Sequence, residues 1–186
     1  MATFSLDGPG QGECGYHSYI RPDYEAAITC ALDALSGHPD IDMDRVGLAG
    51  VSLGGYYAER AAAFEPRVKA AVGNCGPWNF AECWSVLPSL TRAGFQYHSG
   101  AKSEAEAVAK ADKLSLDGVA QKIKKPLLII HGKLDRLIPW EQAHKIVDAV
   151  GSNAELAMFE NGNHVCNNIP YRYRPLTADW LKEKLG

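Results

Sequence analysis

Long apolar runs are scarce in this sequence. The longest, residues 126–130, falls far short of the roughly 20 residues a helix needs to cross a bilayer, so no membrane partner is expected. A basic excess is missing too. Lys and Arg number 19 against 22 Asp and Glu, a net charge of −3, which leaves nothing spare to neutralise a phosphate backbone. Nucleic acid is therefore not an expected partner. The chain opens MATFSLDGPG, without a basic segment leading into an apolar one, so no leader is read there. Cysteines are few and odd in number: Cys14, Cys30, Cys75, Cys83 and Cys166, with no Cys-x-x-Cys pair. That argues against a disulfide framework and a zinc site, and it points to a reducing, cytoplasmic setting with most thiols packed as small hydrophobes.

What is present is an ordinary globular composition, 46% hydrophobic and 22% charged, in a length suited to one domain over 1–186. Strand-like runs at 2–6, 45–49, 68–72, 127–130 and 155–159 alternate with helical patterns. The helices are expected at 22–35, 53–64, 103–114, 139–150 and 175–185. Pro22, Pro139 and Pro175 mark three of the starts, Gly37 and Gly151 two of the stops, and Ser103 opens a capping-box pattern with Glu106. Such alternation predicts an α/β fold with a mostly parallel sheet and helices on both faces. Residues 74–124 break the rhythm. The stretch is too long for a simple crossover and holds Trp78, Phe80, Trp84, Phe95 and Tyr97, so it is read as a short lid-like insertion over a pocket.

Two glycine motifs differ in value. Gly10, Gly12 and Gly15 spell G-x-G-x-x-G after an expected strand, but no helix begins at the third glycine, so a dinucleotide site is set aside. Gly50-Val51-Ser52-Leu53-Gly54 lies between an expected strand and an expected helix. That is the setting of a nucleophile elbow, where small neighbours permit a turn tight enough to lift the hydroxyl above the sheet. A serine needs a base, and the base an orienting acid. Asp135 follows the strand at 127–130 and His164 follows the strand at 155–159, giving the order Ser52, Asp135, His164 with each candidate just past a strand's carboxyl end. The backbone N–H of Leu53 is the expected oxyanion donor. Trp78, Glu82 and Trp84 are the candidates for substrate contact, with Glu82 read either as acting on substrate or as a surface acid. His131 is read as a neighbour of the acid loop. Asp40, Asp42 and Asp44 lack the glycine and distal glutamate of a calcium loop and read as a solvated turn, so neither metal nor cofactor is expected.

These residues resemble the α/β-hydrolases. More pointedly, Asp7-Gly-Pro-Gly-Gln-Gly-Glu13, Glu65-Pro66-Arg67, His164-x-Cys166 with Asn167 and Asn168, and Ala178-Asp179-Trp180 are similar to the family of 2,6-dihydroxypseudooxynicotine hydrolase and the fungal hydrolases that shorten polyketide precursors. The resemblance implies cleavage beside a carbonyl, of an ester or a carbon–carbon bond, by Ser52 as nucleophile, His164 as base and Asp135 as acid. It implies a small carbonyl substrate, and the aromatics of the lid-like segment suggest that this is apolar or aromatic. It also implies that residue 2 begins near that fold's fourth strand, without the first three. On that reading the run at 2–6 either pairs with the run at 45–49 or the chain self-associates as a homo-oligomer, and Gly8, Gly10 or Gly12 substitutes for a missing oxyanion donor. The rival reading is a truncated hydrolase module that binds a ligand or partner without turnover.

Overall fold

Alternation along the two inner strands decides the layering. The computed structural model describes residues 2–186. Its sheet has four parallel strands: β1 (Val46–Val51), β2 (Val68–Asn74), β3 (Leu127–Gly132) and β4 (Ala154–Phe159), in the order β1-β2-β3-β4. Val68, Ala71, Leu127 and Ile129 point to one face and join a core with the helices α1 (Glu25–Leu35), α2 (Leu53–Phe64), α3 (Ser89–His98), α4 (Glu104–Asp112) and α5 (Glu141–Val150). Ala70, Val72, Leu128 and Ile130 point to the other face, where α6 (Pro170–Leu185) covers them with Tyr173, Trp180 and Leu181. Side chains of this size each contribute about 1.5–3 kcal/mol when fully buried. Because the strand order advances in one direction, right-handed crossovers put α2 and α5 on the same side of the sheet.

Each element has a local cause. Ser103 caps α4 by accepting the Glu106 N–H at 3.2 Å, while the Glu106 carboxylate takes the Lys102 N–H at 2.9 Å. Gly151, at φ +74°, ends α5 as expected. Arg60 and Glu25 tie α2 to α1 through paired hydrogen bonds of 2.6 and 2.9 Å.

Three expectations need correction. Residues 2–6 form no strand, and β1 is an edge of the sheet. A strand needs a partner's ladder, and this segment runs exposed, with Phe4 62% accessible, before its backbone turns inward at Gly8. The last helix starts at Pro170, not Pro175. Pro170 takes the first-turn position that needs no N–H, and Pro175 is carried inside the helix. The insertion holds a helix, α3, that its mixed sequence did not announce.

Candidate active site

The elbow is built from crowding. Ser52 joins β1 to α2 with φ 56° and ψ −128°, a conformation costing a non-glycine residue on the order of 1–3 kcal/mol. Its backbone is pinned on both sides: the Ser52 N–H donates to Asn74 O at 2.8 Å, and its carbonyl accepts the Gly55 N–H at 2.8 Å. A side chain at Gly50 would run into the Gly54 carbonyl, and one at Gly55 would sit 2.8 Å from Gly76 Cα. At Gly54 itself an added methyl meets nothing within 4 Å. The small residues that the turn demands are therefore Gly50 and Gly55, not Gly50 and Gly54.

Asp135 and His164 reach the same rim from β3 and β4. Asp135 Oδ1 accepts the Leu137 and Ile138 N–H groups at 2.8 and 3.0 Å, and its Oδ2 accepts His164 Nδ1–H at 2.8 Å. Burial pushes this carboxyl up, but the bond from His164 and the two backbone bonds outweigh it and hold Asp135 below its usual range. His164 Nε2 in turn accepts the Ser52 hydroxyl at 2.9 Å. The structure thus brings together all three residues that the sequence order singled out. His131 lies beneath them, fully buried, and burial lowers its affinity for a proton. Its Nε2–H donates to the Ile138 carbonyl at 3.0 Å, so its 3.6 Å approach to Asp135 is that of a neutral ring.

The loop that carries His164 is held by side chains that sequence reasoning did not single out. Val165 and Cys166 both lie at positive φ, 51° and 55°. Asn74 Nδ2 donates to Val165 O at 3.1 Å, and the Val165 N–H donates to Cys75 Sγ at 3.2 Å. Asn163 and Asn168 exchange side-chain-to-backbone bonds of 2.9 and 3.2 Å. The one available signal was position: Asn74 ends and Cys75 follows a strand whose neighbours also end at the site.

A cleft of about 420 Å³ opens over Ser52. Leu53 lines it as the first residue of α2, where the helix N-terminus favours developing negative charge. One wall is apolar, from Leu87 and Phe95 of the insertion together with Leu137 and Ile138; the opposite wall is the loop at 10–12. Trp78, Glu82 and Trp84 are absent from the lining. Trp78 packs against the main core, and Trp84 is buried edge-on to Phe95 with its indole N–H on Glu104 at 3.1 Å. Glu82 is taken up by Gln142 and Lys145 at 2.7 and 2.6 Å. The aromatic content of the segment was a mixed guide: Phe80 and Phe95 line the cleft, whereas Trp78 and Trp84 pack inward behind them and Tyr97 is exposed.

The glycine loop is partly committed elsewhere. The Gly8 N–H donates to the Tyr24 hydroxyl at 2.9 Å, and the Gly10 N–H to Ser18 Oγ at 3.3 Å. Asp40, Asp42 and Asp44 form the exposed turn expected of them, with Asp42 paired to Arg45 at 2.6 Å. Beneath the elbow, Glu59 is wholly buried with neither carboxylate oxygen partnered among the described residues. Burial raises its carboxyl well above the ordinary range, favouring the protonated form.

Residues 15–186 match the sequence profile of the prolyl oligopeptidase family. The chain is 33% identical over 187 residues to 2,6-dihydropseudooxynicotine hydrolase of Paenarthrobacter nicotinovorans, an alignment covering 100% of this chain and 50% of that protein. It is 35% identical over 192 residues to the hydrolase LUC6 of Fusarium sp, covering 81% of this chain and 45% of that one. The crystal structure of 2,6-dihydroxy-pseudo-oxynicotine hydrolase superposes with a TM-score of 0.91 at 32% identity, over 96% of this chain and 51% of that chain. The fold is the α/β-hydrolase fold, and the chain spans about half the length of the curated relatives it matches.

Proposed function

Because the chain belongs to the prolyl oligopeptidase family, we propose that it is a serine hydrolase acting through an acyl-enzyme on small carbonyl compounds. One observation carries the reading: an unbroken relay from Ser52 Oγ to His164 Nε2 at 2.9 Å and from His164 Nδ1 to Asp135 Oδ2 at 2.8 Å, at the floor of a cleft. His164 takes the Ser52 proton as the hydroxyl oxygen attacks the substrate carbonyl. Asp135 keeps the imidazole in the tautomer whose Nε2 is free to accept, and stabilises the imidazolium that forms. The Leu53 N–H receives the oxyanion. The imidazolium returns the proton to the leaving group, and water releases the acyl group by the same steps in reverse order. Gly12 lines the cleft and is the candidate for a second oxyanion donor, since the N–H groups of Gly8 and Gly10 are engaged.

The apolar lining favours an apolar or aromatic acyl or leaving group. An ester needs nothing beyond this machinery. Carbon–carbon cleavage needs in addition a leaving carbanion that the substrate delocalises and that the imidazolium protonates. The names of the relatives support hydrolysis but do not choose between the two bonds. Labelling with a fluorophosphonate and turnover of p-nitrophenyl esters test the nucleophile; a 1,3-diketone separates the two bond types. Stoichiometric labelling that vanishes in Ser52→Ala is expected, and equal labelling of both proteins would reject Ser52.

One observation favours a second reading. Leu53, at the start of α2 and in the cleft lining, is the one oxyanion donor the elbow itself suggests, and losing a donor costs on the order of 10²–10³ in turnover. A folded protein that binds apolar carbonyl compounds but ignores the fluorophosphonate would establish a binding module instead.

A further inference from the structure

The relay rests on a thiol that it does not use. Cys75 follows β2 and is completely buried, with its backbone at φ 53°. Its Sγ, a carboxylate oxygen of Asp135 and a ring nitrogen of His164 all lie within 4.8 Å of one another. Sulfur, imidazole nitrogen and carboxylate oxygen are the donors that zinc prefers. We propose that Cys75, Asp135 and His164 form a site for a thiophilic divalent cation of zinc's size, and that filling it switches off the Ser52–His164 pair. The second half of this statement rests on the hydrolase reading; the site itself does not.

The surroundings are those of a metal site's outer ring. Metal-bound donors are usually oriented by further hydrogen bonds. Here the Val165 N–H points at Cys75 Sγ from 3.2 Å and would meet a thiolate there; the Cys166 thiol beside it and burial push the free thiol up, so the cation itself must displace its proton. The Leu137 and Ile138 N–H groups fix Asp135 by its Oδ1, leaving Oδ2 to face a cation. The buried Cys166 thiol neighbours that of Cys75 and is a further soft donor. Bond lengths of about 2.0–2.3 Å require donors roughly 3.3–3.7 Å apart, so Cys75 Sγ must draw in by up to about 1 Å while Asp135 Oδ2 and His164 Nδ1, now hydrogen-bonded at 2.8 Å, open by about 0.5 Å to admit the cation between them. That ring is also the way in: its side chain is 22% exposed, while that of Asp135 is fully covered.

The protons balance simply. The cation bonds to Cys75 Sγ, Asp135 Oδ2 and His164 Nδ1. Cys75 gives up its thiol proton to solvent, and the imidazole proton moves from Nδ1 to Nε2. His164 then presents an N–H to Ser52 where it had presented a lone pair. It can no longer accept the hydroxyl proton. A histidine held in the wrong tautomer costs on the order of 10⁴ in turnover in a serine–histidine–aspartate enzyme.

The test uses the whole chain with Cys14→Ser and Cys30→Ser, which removes the two exposed thiols. Co²⁺ serves as the spectroscopic probe. Expected are one bound ion per chain, tetrahedral visible bands and a sulfur-to-cobalt band in the near ultraviolet, all displaced by Zn²⁺ and lost in Cys75→Ala. A sulfur band that is absent, or that persists in Cys75→Ala, overturns the site. Should Cys75→Ala not fold, X-ray absorption of the zinc-loaded parent decides: sulfur in the first shell supports the site, and nitrogen and oxygen alone overturn it. Zn²⁺ is expected to lower p-nitrophenyl ester turnover by on the order of 10³–10⁴, with recovery on adding EDTA. Binding by cobalt and zinc with unchanged turnover would overturn the switch. A metal-free parent with no turnover would instead count against the hydrolase reading, and the cobalt spectrum would still decide the site.

Discussion

The two sides of the cleft are made differently. On one side Ser52, Asp135 and His164 stand past the ends of β1, β3 and β4: the Ser52 backbone is tied to Asn74 on β2, Asp135 to N–H groups of its own loop, and the His164 loop to Asn74, Cys75 and Asn168. On the other side the loop at 10–12 hangs from a few bonds, chiefly Gly8 N–H to Tyr24 and Gly10 N–H to Ser18, and follows an exposed segment without a strand. On the proposed hydrolase reading, the difference separates chemistry from selectivity. Proton transfer would demand closely fixed positions, and a sheet rim supplies them. A wall that only shapes the substrate tolerates looser support.

Substitutions on the two sides should therefore fail in different ways. The largest effect is expected at Ser52→Ala, with ester turnover falling by on the order of 10⁴–10⁶ while the circular dichroism spectrum stays unchanged. Ser52→Gly should be equally inactive yet melt later, because glycine relieves the φ 56° strain, by about 1–3 kcal/mol. Next comes Asp135→Asn, expected to cost on the order of 10⁴ in kcat through the wrong histidine tautomer. Asn168→Ala removes the reciprocal clamp on the His164 loop and should cost about 1–3 kcal/mol in denaturant unfolding, together with a lower kcat. Tyr24→Phe, on the loop side, should cost about 1 kcal/mol and raise KM more than it lowers kcat. A loss of kcat at constant KM in Tyr24→Phe would erase the distinction between the walls.

The smallest effect concerns Glu59, which lies under the elbow and belongs to neither wall. Its carboxyl is raised by burial above the ordinary 4.5. A group that holds its proton more tightly when folded gives its full contribution below the unfolded value, and that contribution is lost as pH rises through the folded value. Glu59→Gln should therefore flatten the fall in melting temperature between acidic and alkaline buffer, with its largest gain at the alkaline end. Equal pH dependence in both proteins would show that Glu59 is not the group responsible.

Much of the sheet was legible because β2 and β3 are apolar on both faces and the helices between strands carry proline and glycine punctuation. Ser52 was legible because so tight a turn leaves a glycine signature, and Asp135 and His164 because chain order and strand ends restrict the choice. The run at 2–6 misled because alternation signals a strand's preference and not the presence of a neighbour. Pro175 misled because a helix already under way can carry a proline. Asn74 and Cys75 were invisible because their partner, Val165, lies in the loop after another strand and only the fold brings them within bonding distance; Asn168 stood out through the resemblance alone, and its clamp on Asn163 five residues away was not foreseen. Trp78, Glu82 and Trp84 were chosen by type, whereas the direction a side chain faces is a property of packing.

The spread of the site over successive strands also has a meaning in time. Ser52 leaves the ribosome 112 residues ahead of His164. At about 5–20 residues per second the interval is roughly 6–22 s. On the proposed hydrolase reading, a chain made only that far would carry a nucleophile with no base to activate it, and reactivity would wait for the loop that brings in His164.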